Sequence, residues 1–338
     1  MSITSAQSQL FGAKRRPLVI GLVNNMPDAA LETTEQQFCA VLGAARAGNV
    51  IRLRLFSFPE LVRSEKGRLY VTQHYEPIDS LWNGELDGLI VTGAEPRTAS
   101  LRDEVYWGSL TKLVDWANES STPTVWSCLA AHAAVLHLDG IERRRLAEKI
   151  SGVFRCVKVG NDALVAGAPD CWHVPHSRLN TLDAEPLISA GYEIASLSDE
   201  AGVDAFTLRR RALFVFYQGH PEYDANALLR EYRRDVGRYL AGTAEQYPEL
   251  PRAYFDDDTA RTFADFRARA QQQRRREVRA EFPEGGCCPQ SVPVWHDLAT
   301  RLYRNWLALV AEHRDEALVA TTAPTLTIIP HLSPRTHQ

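Results

Sequence analysis

Cys128 sits where a short apolar run, Thr124-Val-Trp-Ser127, gives way to the Ala- and Leu-rich stretch beginning at Leu129. A strand that turns into a helix at one residue lifts that side chain clear of the backbone. It also aims the first free N–H groups of the helix at whatever binds there. The positive end of the helix dipole favours the thiolate form of such a cysteine, which would make it a nucleophile. A buried, inert cysteine is the plain alternative, since free cysteines often only fill core.

A nucleophilic thiol needs a base, and the base needs an orienting group. His220-Pro-Glu222 follows another apolar run, Ala212-Leu-Phe-Val-Phe-Tyr217. Pro221 stiffens the link between imidazole and carboxylate. His132, four residues after Cys128 on the same helix, and His176, in a Pro175-His-Ser-Arg178 stretch read as a loop, compete for the role. His220 leads because it alone combines a strand-end position with a nearby carboxylate.

The elements that must position these groups alternate. Strands are expected at Leu18–Val23, Ile51–Phe56, Leu86–Gly93, Thr124–Ser127 and Ala212–Tyr217. Helices are expected at Leu31–Leu42, Val105–Asn118, from Leu129 to about His137, and from Ala225, capped by Asp224, to about Leu240. Phe154–Val165 and Tyr192–Arg209 read as hairpin-like strands. The alternation implies an α/β fold with a parallel sheet covered on both faces. Ligands bind beyond the carboxyl ends of such strands. Asn24–Asp28, Gly93–Arg97, Cys128 and His220 all follow strands and should gather on one edge.

Composition restricts the function classes. The 338 residues are 45% hydrophobic and 24% charged, with a formal net charge of -4. This is an ordinary globular balance, without the basic excess that would point to nucleic acid or an anionic membrane. Six irregularly placed cysteines do not make a secreted disulfide framework, and Cys287-Cys288 lacks a second pair at zinc spacing, so no metal is expected. The apolar run after Lys14-Arg-Arg16 is too short for a signal peptide or a membrane span. A reducing cytoplasm is the simplest setting. Arg274-Arg-Arg276 reads as a solvated helix face, and His296–Val310 as an amphipathic helix with Leu298, Leu302, Trp306 and Leu309 on one side. The chain divides into a lead-in (1–16), a main domain (17–262), a helical extension (263–320) packed on the main domain or a dimer interface, and an irregular tail (321–338).

A set of ordered blocks then carries a resemblance. They are Asn25-Met-Pro27 with Glu32-Thr33, Asp87-Gly-Leu-Ile-Val-Thr-Gly-Ala94, Tyr106-Trp107, Cys128, Gly140-Ile141 and Glu148-Lys-Ile-Ser-Gly-Val-Phe154. Pro175-His-Ser-Arg178, Gly219-His-Pro-Glu-Tyr-Asp224, Glu231-Tyr232 with Arg234-Asp235, and Tyr254-Phe-Asp-Asp-Asp258 complete them. The chain resembles the homoserine O-acyltransferases of methionine biosynthesis that have a class I glutamine-amidotransferase-like fold. The resemblance implies a three-layer, flavodoxin-like α/β sandwich with a mostly parallel sheet and a C-terminal helical extension. It implies ping-pong acyl transfer through Cys128, with His220 as base and Glu222 orienting it, and with backbone N–H groups at the elbow binding the oxyanion. It also implies that Lys149, Ser177 and Arg234 contact the amino acid, that acyl-coenzyme A is a substrate rather than a cofactor, and that the chain forms a homodimer.

Two departures stand out. Many members carry a lysine pair after Met26-Pro27, where this chain has Asp28-Ala-Ala30. In the loop after Gly93-Ala94, relatives with an acetyl donor carry glutamate and those with succinyl carry glycine. A gapless match puts Arg97 there, with Glu95 two residues away. An arginine would attract the free carboxylate of a succinyl group, so succinyl-coenzyme A is expected over acetyl-coenzyme A. Serine as acceptor, a thiol hydrolase on the same fold, and a catalytically silent binding module stay open at this point.

Overall fold

The computed structural model describes residues 16–82, 85–283 and 294–322. Cys287-Cys288, nearly all of the lead-in and most of the tail lie outside them. In chain order the elements are β1 (Leu18–Val23), α1 (Leu31–Ala45), β2 (Ile51–Phe56), α2 (Glu65–His74), α3 (Asp79–Trp82), β3 (Gly88–Val91) and α4 (Trp107–Glu119). Then follow β4 (Thr124–Ser127), α5 (Leu129–Asp139), β5 (Arg144–Lys158), β6 (Cys171–Thr181), α6 (Ala184–Ser189), β7 (Glu193–Ser198), β8 (Gly202–Arg209) and β9 (Leu213–Tyr217). Helices α7 (Ala227–Leu240), α8 (Asp257–Gln272) and α9 (His296–Thr322) complete the described chain.

One nine-stranded sheet runs in the order β2-β1-β3-β4-β9-β8-β7-β5-β6. Strands β2, β1, β3, β4 and β9 are parallel, and β8, β7, β5 and β6 extend the sheet by antiparallel pairing. The continuous apolar runs of β1, β3, β4 and β9 are what burial on both faces requires. Alternate side chains serve opposite layers. Val91, Trp126 and Phe216 pack with α4 and α5, while Ile90, Val125 and Val215 pack with α1 and α9. Burying each of these large apolar side chains contributes roughly 1.5–3 kcal/mol. Helix α9 thus completes one of the outer layers: Trp306 is fully buried, and Phe38 of α1 meets Tyr303 edge to face at 6.3 Å. A smaller core of Tyr232, Val236, Phe263 and Phe266 joins α7 to α8.

Several expectations need correction. Pro175–Arg178 is not a loop but the middle of β6, whose mixed composition hides a strand paired with β5 along ten residue pairs. The hairpin expected from Phe154 to Val165 is instead the longer β5 with β6. Helix α9 continues past Val310 because Ala, Glu and Arg sustain a helix after its apolar stripe ends. Helix α7 starts at Ala227, and Asp224 accepts from the Asn226 N–H rather than from the helix itself. Helix α8, which sequence patterning did not resolve, is capped by Asp256, whose carboxylate accepts from Thr259 N–H at 2.7 Å. A division at residue 262 therefore falls inside α8. Among the described residues no helix is long and apolar enough to cross a membrane.

Candidate active site

Cys128 occupies the turn between β4 and α5 with φ 51° and ψ -113°. That is costly backbone for a residue with a Cβ, and such strain is a mark of functional sites. Its N–H donates to the Tyr217 carbonyl at 2.7 Å, which ties the elbow to the end of β9. The Leu129 N–H, at the first position of α5, has no acceptor within its helix. Gly93, just past β3, packs directly against this point, where a Cβ would come within 2.7 Å of Leu129 Cβ and 3.1 Å of its nitrogen. A side chain at residue 93 would close the space beside the N–H.

His220 follows β9 and reaches the same elbow. Its ring faces Cys128 closely enough for the two groups to interact, and its Nδ1 donates to Glu222 Oε1 at 2.9 Å. Ser127 Oγ donates to the same oxygen at 3.2 Å. The imidazole stacks on Tyr223, ring centroids 4.1 Å apart, and its backbone N–H donates to the Pro175 carbonyl at 2.8 Å. The ring is therefore held from three sides. Burial pulls the His220 imidazolium down. The facing Cys128 and the Glu222 carboxylate, which is hydrogen-bonded to the ring, override it and hold the group well above its ordinary 6.5. Gly219 makes the approach possible: a Cβ there would lie 2.5 Å from Asp204 Oδ1 and 2.9 Å from the His176 ring.

The competing histidines are engaged elsewhere. His132 Nε2 lies 2.9 Å from Gln218 Oε1, which also accepts from Leu182 N–H at 2.7 Å, so His132 must donate through Nε2. Burial pushes its protonated form down to about 3, leaving a neutral ring. His176 is fully buried in β6, 3.3 Å from Asp204. With Cys156 these two form a compact cluster whose potential ligand atoms lie within 4.8 Å of one another, packed behind Gly219.

Cys128, His220 and Glu222 open onto a cavity of about 980 Å³ beyond the ends of the parallel strands. Lys149, Ser177, Arg234, Glu95 and Arg97 line the same cavity, so every sequence-identified site residue comes together there. Lys149 lies where β5 loses register with β6, between Arg145 and Ile150, and such irregularities re-aim a side chain. Its ammonium meets Asp235 at 2.7 Å and Glu231 at 3.4 Å, both on α7. Ser177 hydrogen-bonds Glu231, Tyr223 donates to Glu231 at 2.6 Å, and Arg234 Nε donates to Asp235 at 2.9 Å. Burial raises the carboxyls of Glu231 and Asp235, but the Lys149 and Arg234 charges outweigh it and hold both below the usual range. Two cations and two anions thus balance.

In the loop after β3, Glu95 pairs with Arg238 of α7. The carboxylate of Glu104 shapes the loop by accepting from the Arg97 and Thr98 N–H groups at 2.7 and 2.8 Å. The Arg97 side chain is exposed. Asp28 turns to Arg63 at 3.1 Å and to the Ser64 N–H at 2.8 Å. Sequence reasoning assigned no role to Glu231, Asp235, Tyr223 or Arg143. The first two had a signal: Glu231, Arg234, Asp235 and Arg238 are spaced to share one face of a helix. Arg143 had none, standing in a run of three arginines.

A family model described as homoserine O-succinyltransferase matches residues 2–315. A homoserine O-succinyltransferase of Rhodopseudomonas palustris is 48% identical over 299 residues, 88% of this chain and 90% of that one. One of Bradyrhizobium japonicum is 50% identical over 296 residues, 87% of this chain and 90% of that one. Among solved structures, a glutamine amidotransferase of Methylobacillus flagellatus shares the fold, with a TM-score of 0.50 at 14% identity, covering 86% of this chain and 94% of that one. By this family match and these identities, the chain belongs to the homoserine O-succinyltransferase family.

Proposed function

We propose that the protein transfers a succinyl group from succinyl-coenzyme A to the hydroxyl of L-homoserine, by a ping-pong route through a thioester on Cys128. The carrying observation is the Cys128–His220–Glu222 chain opening on a large cavity, in a member of this family. In the first half-reaction Cys128 Sγ attacks the thioester carbonyl. A new S–C bond forms, the bond to the coenzyme A sulfur breaks, and the His220 proton goes to the departing thiolate. In the second half-reaction His220 takes the proton of the homoserine hydroxyl as its oxygen attacks the acyl-cysteine. The C–S bond breaks, and Cys128 leaves as the thiolate, facing the protonated ring. Glu222 keeps Nε2 aimed at the sulfur throughout. A thioester is already activated, so a thiolate with an imidazole partner suffices. The Leu129 N–H, in the space kept open by Gly93, serves the oxyanion.

The neutral four-charge cluster suits a zwitterion. The carboxylate of homoserine meets Arg234 and Lys149, and its ammonium meets Glu231, whose second partner Ser177 fixes its orientation. Arg97 and Glu95 stand on the donor side, with Arg238 cancelling the charge of Glu95. The protein works in the cytoplasm as a homodimer, for which size-exclusion chromatography with light scattering is the check.

Intact-mass analysis tests the reading. Succinyl-coenzyme A alone should add one succinyl group at Cys128, and homoserine should then remove it. Absence of the adduct would sink the proposal, and release of ammonia from glutamine would point to an amidotransferase-like hydrolase instead.

A further inference from the structure

Arg143 lies between α5 and β5 on the wall of the cavity. Its Nη1 is shut off from water and has no hydrogen-bond partner. The other cations of the cavity differ. Lys149 and Arg234 are held by Asp235, Arg238 by Glu95, and Arg178 by the carbonyls of Asn180 and Ala201. Arg97 and Arg145 are exposed to water. A guanidinium N–H that is neither hydrated nor paired is costly unless a ligand completes it. The charges of Glu104, which shapes the 95–98 loop, and of Cys128 act on Arg143. The arginine therefore shares the cavity with Cys128 and the donor-side loop.

We infer that Arg143 is the specificity residue that receives the free carboxylate of the acyl group carried by Cys128. The assignment rests on the acyl-transfer reading above. A carboxylate is an acceptor with two oxygens, which is what the half-buried guanidinium of Arg143 on the cavity wall would bind. It would supply the missing partner exactly once per catalytic cycle, when the acyl group is in place, while homoserine keeps its own charged cluster.

The test compares Cys128 acylation rates, followed by intact mass, for succinyl-coenzyme A and butyryl-coenzyme A, which differ at the chain end by carboxylate against methyl. In Arg143→Gln the succinyl rate constant should fall about 10- to 100-fold, with the butyryl rate little changed. Arg143→Lys should recover part of the loss, and equal melting temperatures would show that both variants fold. Loss of both donors by the same factor, or of neither, overturns the assignment, as does the same selective loss in Arg97→Gln with Arg143→Gln unaffected. Wild-type protein that accepts neither acyl group overturns the acyl-transfer reading, and this assignment falls with it.

Discussion

The ammonium of Lys149 stands 2.7 Å from Asp235, joining the irregular stretch of β5 to helix α7 across the cavity wall. Removing the lysine leaves Glu231 and Asp235 balanced by Arg234 and, at 3.9 Å from Asp235, by Arg238, which Glu95 shares. Lys149→Met is expected to raise the KM for homoserine about 10-fold or more, the scale of one lost charged contact, with the KM for the acyl donor little changed. Steady-state kinetics with each substrate varied in turn decides this. A rise confined to the donor would move the cluster to coenzyme A binding.

Glu222 holds His220 by one charged hydrogen bond and takes a second from Ser127. Glu222→Gln keeps the size but removes the charge. The expected result is a fall in kcat of about 10²- to 10⁴-fold, the range for disabling a positioned acid–base group. A fall of less than a few-fold would leave His220 oriented by its Tyr223 stack and backbone alone.

The pH dependence follows from His220. Its folded-state pKa lies above the unfolded 6.5, so the imidazolium contributes stability that is complete below about pH 6.5 and fades as the pH climbs through the raised value. Cys128→Ala deletes the largest of the charges that raise it, and the ring should titrate lower. Imidazole chemical shifts of wild type and variant across pH 5 to 9 (about the span where histidine titrates) read this directly. An unmoved titration would mean that thiol and ring do not share a charge.

Gly219→Ala places a Cβ against Asp204, Val174 and His176, all in the packed interior behind the site. Overpacking of this kind costs about 1–3 kcal/mol. The variant should melt lower and lose activity together, because the backbone that carries His220 must move. Full activity with unchanged melting would show that the interior yields without cost.

Much of the site was legible without coordinates, because it depends on local pattern. An apolar run meeting an Ala-rich stretch is enough to mark Cys128 as an elbow, and His220-Pro-Glu222 after a strand is enough to propose a base with its orienting group. The alternation of elements then brings strand ends to one edge for topological reasons. The misses share a cause as well. Pro175–Arg178 reads as a loop because it mixes proline, histidine, serine and arginine, yet pairing with β5 buries His176 completely. Sequence patterning names Lys149, Arg234 and Arg97 as cations but cannot say which keep their charge free for a ligand. That depends on neighbours far along the chain: Asp235 for Lys149, and Glu95 for Arg238, 143 residues away. Arg143, Arg144 and Arg145 look alike in the sequence. Folding sends Arg144 out to Asp183, exposes Arg145, and turns one nitrogen of Arg143 inward without a partner. Desolvation and pairing are properties of packed neighbours, so only the tertiary structure could separate the three.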